Sequence, residues 1–402
     1  MSAIVFREYM RIILKQTYQG LKDHSFAPSK YFGYFGGVLL VLVFFAGLSI
    51  AGDTKRSVHG NKALLPEGCG SCHKGHGVKG TPMLAAAEKD FCFLCHGSKS
   101  RQRGMMKARK LSQGRLLKDI ENDFKKVYHH PIEKQGIHSS REVLPEKNAS
   151  TLRHVSCMDC HNPHRVKKNN ITAGVDGAKR GLQIKGRFNK YSEADVEEYE
   201  ICYKCHSYSA NLPADQKNKE EEFNRENFSY HPVEAEGKNR NVPSLIMPLT
   251  TSSRIKCSDC HSSDGYNATK GTHGSIYEHI LKKKYVESIR SNESQFHYEL
   301  CYDCHSRDNL LANASWNKHK EHINITSCKT CHNSHGSKYN PYLIDFEPLA
   351  VFTNSEGFLE FRPMGENQFG CLLKCHDRDH VLVDSETKVL IPIKTNKTNK
   401  NK

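Results

Sequence analysis

All 16 cysteines of this chain fall into eight close pairs, and each pair is followed at once by a histidine. The triplets are Cys69, Cys72 and His73; Cys92, Cys95 and His96; Cys157, Cys160 and His161; and Cys202, Cys205 and His206. The second half adds Cys257, Cys260 and His261; Cys301, Cys304 and His305; Cys328, Cys331 and His332; and Cys371, Cys375 and His376. The last has one extra residue between its cysteines. This is the attachment pattern of c-type haem, in which two thiols form thioethers with the porphyrin and the adjoining imidazole reaches the iron. Structural zinc needs four converging ligands and does not demand a histidine after every pair. A disulfide framework leaves the histidines unexplained and needs strained bridges between near neighbours.

Composition argues against an ordinary core. Only 37% of the 402 residues are apolar, mean hydropathy is −0.66 and there is one tryptophan, Trp316. Such a chain by itself sits near the disordered class. Eight covalently attached haem c groups change that, because each is a large apolar body around which the polypeptide can fold. The expected fold is mostly irregular with short α-helices, a haem-stack core and an N-terminal transmembrane helix or signal segment. Helices are expected at Ala194–Ile201 and Tyr277–Ile289, where apolar residues recur at helical spacing. Asn239–Ser253, with Pro243 and Pro248, should be irregular, and no extended alternating run demands a sheet.

The formal charge of +15 invites a nucleic-acid partner. Eight haems, however, would bring roughly sixteen propionate charges, so no nucleic acid is expected. Lys99–Lys118 holds eight basic residues and no acid, and reads as a solvated segment in preference to a docking patch for an acidic redox partner.

Residues 31–52 carry no charge, and they come after a basic flank of Arg7, Arg11, Lys15, Lys22 and Lys30. The run is long enough to span a bilayer, and the charge bias exports the chain beyond it. Ser49-Ile50-Ala51 also offers a signal-peptide cleavage site. The long leader favours a retained anchor on the periplasmic side of the bacterial inner membrane; cleavage would release the protein to the periplasm or cell envelope.

The motifs group as four pairs, with separations of 23, 45, 44 and 43 residues between first cysteines. The organisation expected is leader and anchor 1–52, pair one 53–120, pair two 121–215, pair three 216–312, pair four 313–384 and a disordered basic tail 385–402. Each pair has an upstream histidine and most have one three residues after the first motif. Pair three lacks the latter, and His273, in a Gly-Thr-His-Gly-Ser loop, stands in for it.

Of 24 histidines, eight are in the motifs and His24 precedes the apolar run, leaving 15 for the eight opposite axial positions. The best-placed set is His59, His76, His130, His164, His231, His273, His322 and His335, with His319 competing with His322 and His129 with His130. His138, His154, His279, His297 and His380 are reserves. Methionines recur at no repeated place, so both axial positions should be imidazole throughout. Such iron exchanges electrons but has no open position for substrate. Tyr203, Tyr302, Phe91 and Phe93, beside motif cysteines, are expected to pack on haem faces.

The run from Cys157 through His164 to Cys202 resembles the doubled-motif multihaem c-type cytochromes. His231–His380 is especially similar to cytochromes of metal-reducing and anaerobic bacteria, through His231-Pro232-Val233, Cys257-Ser258-Asp259-Cys260-His261, Gly271-Thr272-His273-Gly274-Ser275, Leu300–Arg307 and Leu373-Lys374-Cys375-His376. The likeness covers about nine-tenths of the exported chain, pair one fitting loosely. It implies an octahaem electron carrier, with a quinol-linked donor and periplasmic or outer-membrane cytochromes as redox partners. The alternative it leaves open is an octahaem oxidoreductase acting on nitrite, hydroxylamine or tetrathionate; the histidine kept in all eight motifs argues against the special haem such enzymes use. A subunit of a cytochrome filament is a third reading, which a retained anchor opposes.

Overall fold

The computed structural model describes residues 57–79, 81–114, 116–133, 154–178, 196–207, 212, 216–289, 291–312, 316, 318–365 and 368–381. The leader, the apolar run, His138 and the basic tail lie outside them. The chain divides into Met1–Ser57 and Val58–Lys402, and the second unit carries all eight motifs. No helix among the described residues is long and apolar enough to cross a membrane.

Most of the described chain is turn, bend or irregular backbone, in keeping with its composition. The longest helices, Glu88–His96, Lys99–Lys107 and Glu198–His206, have nine residues each. Two of them end on a motif histidine. The third occupies the basic segment: the Ser98 side chain caps its start, and Arg101 pairs with Glu121 at 3.4 Å. Buried Gln102 bridges the Gly97 and Leu117 carbonyls and accepts from the Leu117 amide, so the segment is folded back on itself.

The helix expected over Ala194–Ile201 is shifted to Glu198–His206, with Glu197 as its N-cap. The one expected over Tyr277–Ile289 is reduced to a three-residue 3-10 turn, Glu278–Ile280. Its backbone groups are taken elsewhere: Leu281 bridges to both His261 and Tyr277, Lys282 N–H donates to the Cys260 carbonyl at 2.9 Å, and the Leu281 carbonyl accepts from Ser275 Oγ at 2.6 Å. Apolar spacing is a weak signal when tertiary contacts claim the hydrogen bonds.

Two small antiparallel bridges repeat one design. Strand β1 (Tyr128–His129) pairs with β3 (Gly274–Ser275), and β2 (Ser229–Tyr230) pairs with β4 (Gly336–Ser337). A Cβ at Gly274 would lie 2.0 Å from the Asp123 carbonyl oxygen, and one at Gly336 would lie 2.0 Å from that of Glu222. Glycine is needed at both because the strand presses on the end of a one-turn helix, Ile120–Asp123 or Lys219–Glu222. The serine after each glycine is buried and donates to a carbonyl, Leu281 or Ile344, at 2.6 Å.

The C-terminal part forms a four-stranded antiparallel sheet of β5 (Val351–Phe352), β6 (Glu360–Gly365), β7 (Gln368–Cys375) and β8 (Arg378–His380), with β7 pairing the other three. No alternation announces it, since successive Leu372 and Leu373 are both buried, as in a strand covered on both faces. Apolar packing elsewhere is modest. Leu65, Met105, Met106 and Leu111 make one cluster and Ala178 with Tyr203 another.

Candidate functional site

Seven motifs share one local geometry. Each first cysteine sits in a helical or 3-10 turn, within Gly68–Ser71, Glu88–His96, Cys157–Cys160, Glu198–His206, Cys257–Cys260, Cys301–Asp303 and Cys328–Thr330. The motif histidine amide closes the turn on the first cysteine carbonyl, at 2.8 Å for His73, 2.9 Å for His161, 2.8 Å for His261, 3.0 Å for His305 and 2.9 Å for His332. One helical turn therefore carries both thiols and the imidazole. Asp159 and Asp259, inside their motifs, accept from the Ser156 and Lys256 amides at 2.7 and 2.8 Å and hold the turn's entry. None of the sixteen cysteines is paired in a disulfide. Among the described residues no group of three or more His, Cys, Asp or Glu side chains converges as a zinc site requires.

Among the described residues the histidines come together in eight pairs of neighbouring rings, at interplanar angles from 18° to 75°. Ring centres are 6.0 Å apart for His59 and His96, 5.9 Å for His73 and His164, 6.3 Å for His130 and His206, and 6.2 Å for His161 and His273. They are 6.4 Å apart for His231 and His305, 6.2 Å for His261 and His335, 6.3 Å for His319 and His332, and 6.3 Å for His322 and His380. A metal–imidazole bond of about 2 Å on each side, plus about 1 Å from nitrogen to ring centre, puts two axial imidazoles about 6 Å apart. The residues thus fit iron held between two histidines at all eight places.

Nδ1 is hydrogen-bonded in most of these residues, the kind of contact that fixes the ring of a metal-binding imidazole. Nδ1–H donates to a backbone carbonyl from His59 (Pro163, 2.9 Å), His73 (Pro82, 3.1 Å), His130 (Thr272, 2.6 Å), His161 (Ile171, 3.1 Å), His261 (His279, 2.7 Å), His322 (Lys318, 2.8 Å) and His332 (Tyr342, 3.0 Å). His231 bonds the Ser334 carbonyl in the same way. Side-chain oxygens serve His273 (Thr269, 3.0 Å), His305 (Ser244, 2.9 Å) and His335 (Glu222, 3.0 Å). Burial pushes His206 down to about 3, and His96, His261, His273, His305 and His319 down to about 4, which favours the neutral imidazole, the form able to bind a metal.

The pairing follows a rule that sequence proximity hides. The second motif of a pair faces that pair's own upstream histidine: His96 with His59, His206 with His130, His305 with His231. The first motif instead faces the histidine after the first motif of the next pair: His73 with His164, His161 with His273, His261 with His335. His76 is the equivalent residue in pair one, which has no predecessor; it is exposed and stands in none of the eight pairs. His332, in the last pair, has no successor and faces His319. His319 and His322, rivals for one role in the sequence, stand in two different pairs from one helical turn, His319–His322. His376 is exposed and stands in none of these pairs, while His380 lies beside His322. His129 lies by Glu133 at 3.4 Å and His279 by Glu287 at 3.0 Å, outside the pairs.

Attachment cysteines form a continuous series in chain order. Cys72 neighbours Cys95, Cys92 contacts Cys157, Cys160 neighbours Cys202, and Cys202 contacts Cys257. Cys260 then neighbours Cys304, Cys301 neighbours Cys328, and Cys331 neighbours Cys371 and Cys375. Glutamates clamp two of these joints. Glu88 accepts from the Met158 amide at 3.1 Å, and Glu198 accepts from the Ser258 amide at 2.8 Å and hydroxyl at 2.9 Å. Tyr203 and Tyr302, beside motif cysteines, donate to Glu234 at 2.7 Å and Glu293 at 2.8 Å, partners far enough away in the chain that motif spacing gives no sign of them.

A family profile for the doubled CXXCH motif matches residues 63–101, the pair with the shortest separation and the one expected to fit least well. No curated protein and no solved structure matches the chain. The chain carries the paired haem c attachment motif of multihaem c-type cytochromes.

Proposed function

We propose that this protein is an electron-transfer cytochrome with eight covalently attached haem c groups, each held between two histidines, that relays electrons through the periplasm or cell envelope. The observation that carries the reading is the set of eight imidazole pairs at 5.9–6.4 Å. The proposed axial set is His73, His96, His161, His206, His261, His305, His332 and His380, opposite His164, His59, His273, His130, His335, His231, His319 and His322. Haem iron saturated by two imidazoles supplies one-electron exchange with little rearrangement. The chain's residues do the rest. Their thiols would fix each group covalently, Nδ1 hydrogen bonds orient most of the imidazoles, and the nearness of successive motif cysteines from Cys72 to Cys375 supports a close succession of groups. The small apolar clusters agree with a core made largely of haem. The proposed setting is the periplasmic face of the inner membrane, held by the apolar run at 31–52, with partner redox proteins as donor and acceptor.

Intact-mass measurement of the purified protein is expected to give eight porphyrins, and electron paramagnetic resonance to give low-spin ferric signals alone. A substantial high-spin population in the wild-type protein would favour the alternative, an octahaem oxidoreductase with an open iron.

A further inference from the structure

The eighth motif is built differently from the other seven. Cys371 and Cys375 lie on strand β7, where adjacent side chains point to opposite faces and alternate ones share a face. Cys371, Leu373 and Cys375 therefore share one face. A histidine directly after the second cysteine cannot project with the thiols from a strand as it does from a helical turn. Here it does not even continue the strand. Cys375 pairs with Arg378, so His376 and Asp377 are the two residues of the hairpin turn, with φ of +51° and +59°. Both are exposed.

The returning strand supplies the alternative. His380 is the cross-strand partner of Leu373, the residue midway between the two cysteines. Directly paired residues project to the same face of a sheet. His380 thus shares the face of both thiols, part-buried, with its ring centre 6.3 Å from that of His322. His322 is held by its Nδ1–H bond to the Lys318 carbonyl at 2.8 Å, and the Trp316 ring packs against it at 4.9 Å. That spacing matches those at the seven other places.

Resting on the octahaem reading above, we propose that the eighth haem is bound by Cys371, Cys375 and His380, with His322 opposite, and that His376 is not an iron ligand. The hairpin does for this site what a helical turn does for the others. The extra residue between the cysteines is what puts both on one face of a strand.

The test uses the full-length holoprotein and two methionine variants. His380→Met is expected to exchange one imidazole for a thioether, giving a sulfur-to-iron charge-transfer band and moving one component of the redox titration to higher potential. His376→Met is expected to leave the spectrum and titration as in the wild type. As a second probe, His380→Ala is expected to convert about one-eighth of the iron to high spin while keeping the porphyrin on its peptide. The same responses appearing in the His376 variant, with the His380 variants silent, would overturn the assignment alone. A wild-type peptide spanning Cys371 and Cys375 that carries no porphyrin would overturn the count of eight and this assignment with it.

Discussion

Substituting Gly336 by alanine tests whether the His-Gly-Ser loops position axial histidines. The new Cβ would meet the Glu222 carbonyl oxygen at 2.0 Å, the Glu222 carbonyl carbon at 3.1 Å and the Ser229 carbonyl oxygen at 3.1 Å. All three are backbone atoms, so relief requires moving β4 away from β2 and from the helix Lys219–Glu222 by about 1 Å. Overpacking of this kind costs about 1–3 kcal/mol. The displacement falls on the segment that holds two sites: His335 faces His261, and its carbonyl accepts from the His231 amide at 2.9 Å. At no more than about 2–4 °C per kcal/mol, the scale for domains of about 150–250 residues, the melting midpoint of the holoprotein should fall by at most roughly 2–12 °C. Gly104→Ala is the control. It lies in the helix Lys99–Lys107 with nothing near the added Cβ, and should raise stability by about 0.5–1 kcal/mol through helix propensity. Melting followed by Soret absorbance and by circular dichroism reads both variants. An unchanged midpoint for Gly336→Ala would refute the close-approach argument.

His319→Ala should convert about one-eighth of the iron to high spin, whereas His76→Ala should leave the low-spin signal whole; electron paramagnetic resonance reads both, and the opposite result would break the pairing rule. Glu198→Gln weakens a clamp that accepts two bonds from Ser258, and should cost about 1–2 kcal/mol in chemical denaturation, while an unaltered midpoint would show the clamp to be idle. Chain produced without haem attachment should give a disordered far-ultraviolet spectrum and no cooperative melt, since its apolar clusters are few residues each; a cooperatively folded apo form would contradict that.

The attachment chemistry was legible in the sequence because it is local. Two thiols and one imidazole within a single turn need no information from elsewhere, and seven of the eight motifs realise this directly. The upstream His59, His130 and His231 recur at a repeated place, and His273 sits in a Gly-Thr-His-Gly-Ser loop; all four lie beside motif histidines. His76 and His319 were not. Which of them serves depends on whether a pair has a neighbour before or after it, and that is decided by how successive pairs dock. The sheet was hidden because Leu372 and Leu373 are buried on opposite faces, and the helix expected after Tyr277 was lost to hydrogen bonds made with the fifth motif.

By itself, then, the order of amino acids determined that this chain binds porphyrin at closely spaced pairs, because covalent attachment is a short-range reaction. Only tertiary structure decided which imidazoles lie beside one another. His59, His130 and His231 are anchored by carbonyls 104, 142 and 103 residues away, and His380, not His376, is brought near His322 across a hairpin. An opposite axial ligand is recruited through space, and contacts over such separations leave no periodicity in the sequence to read.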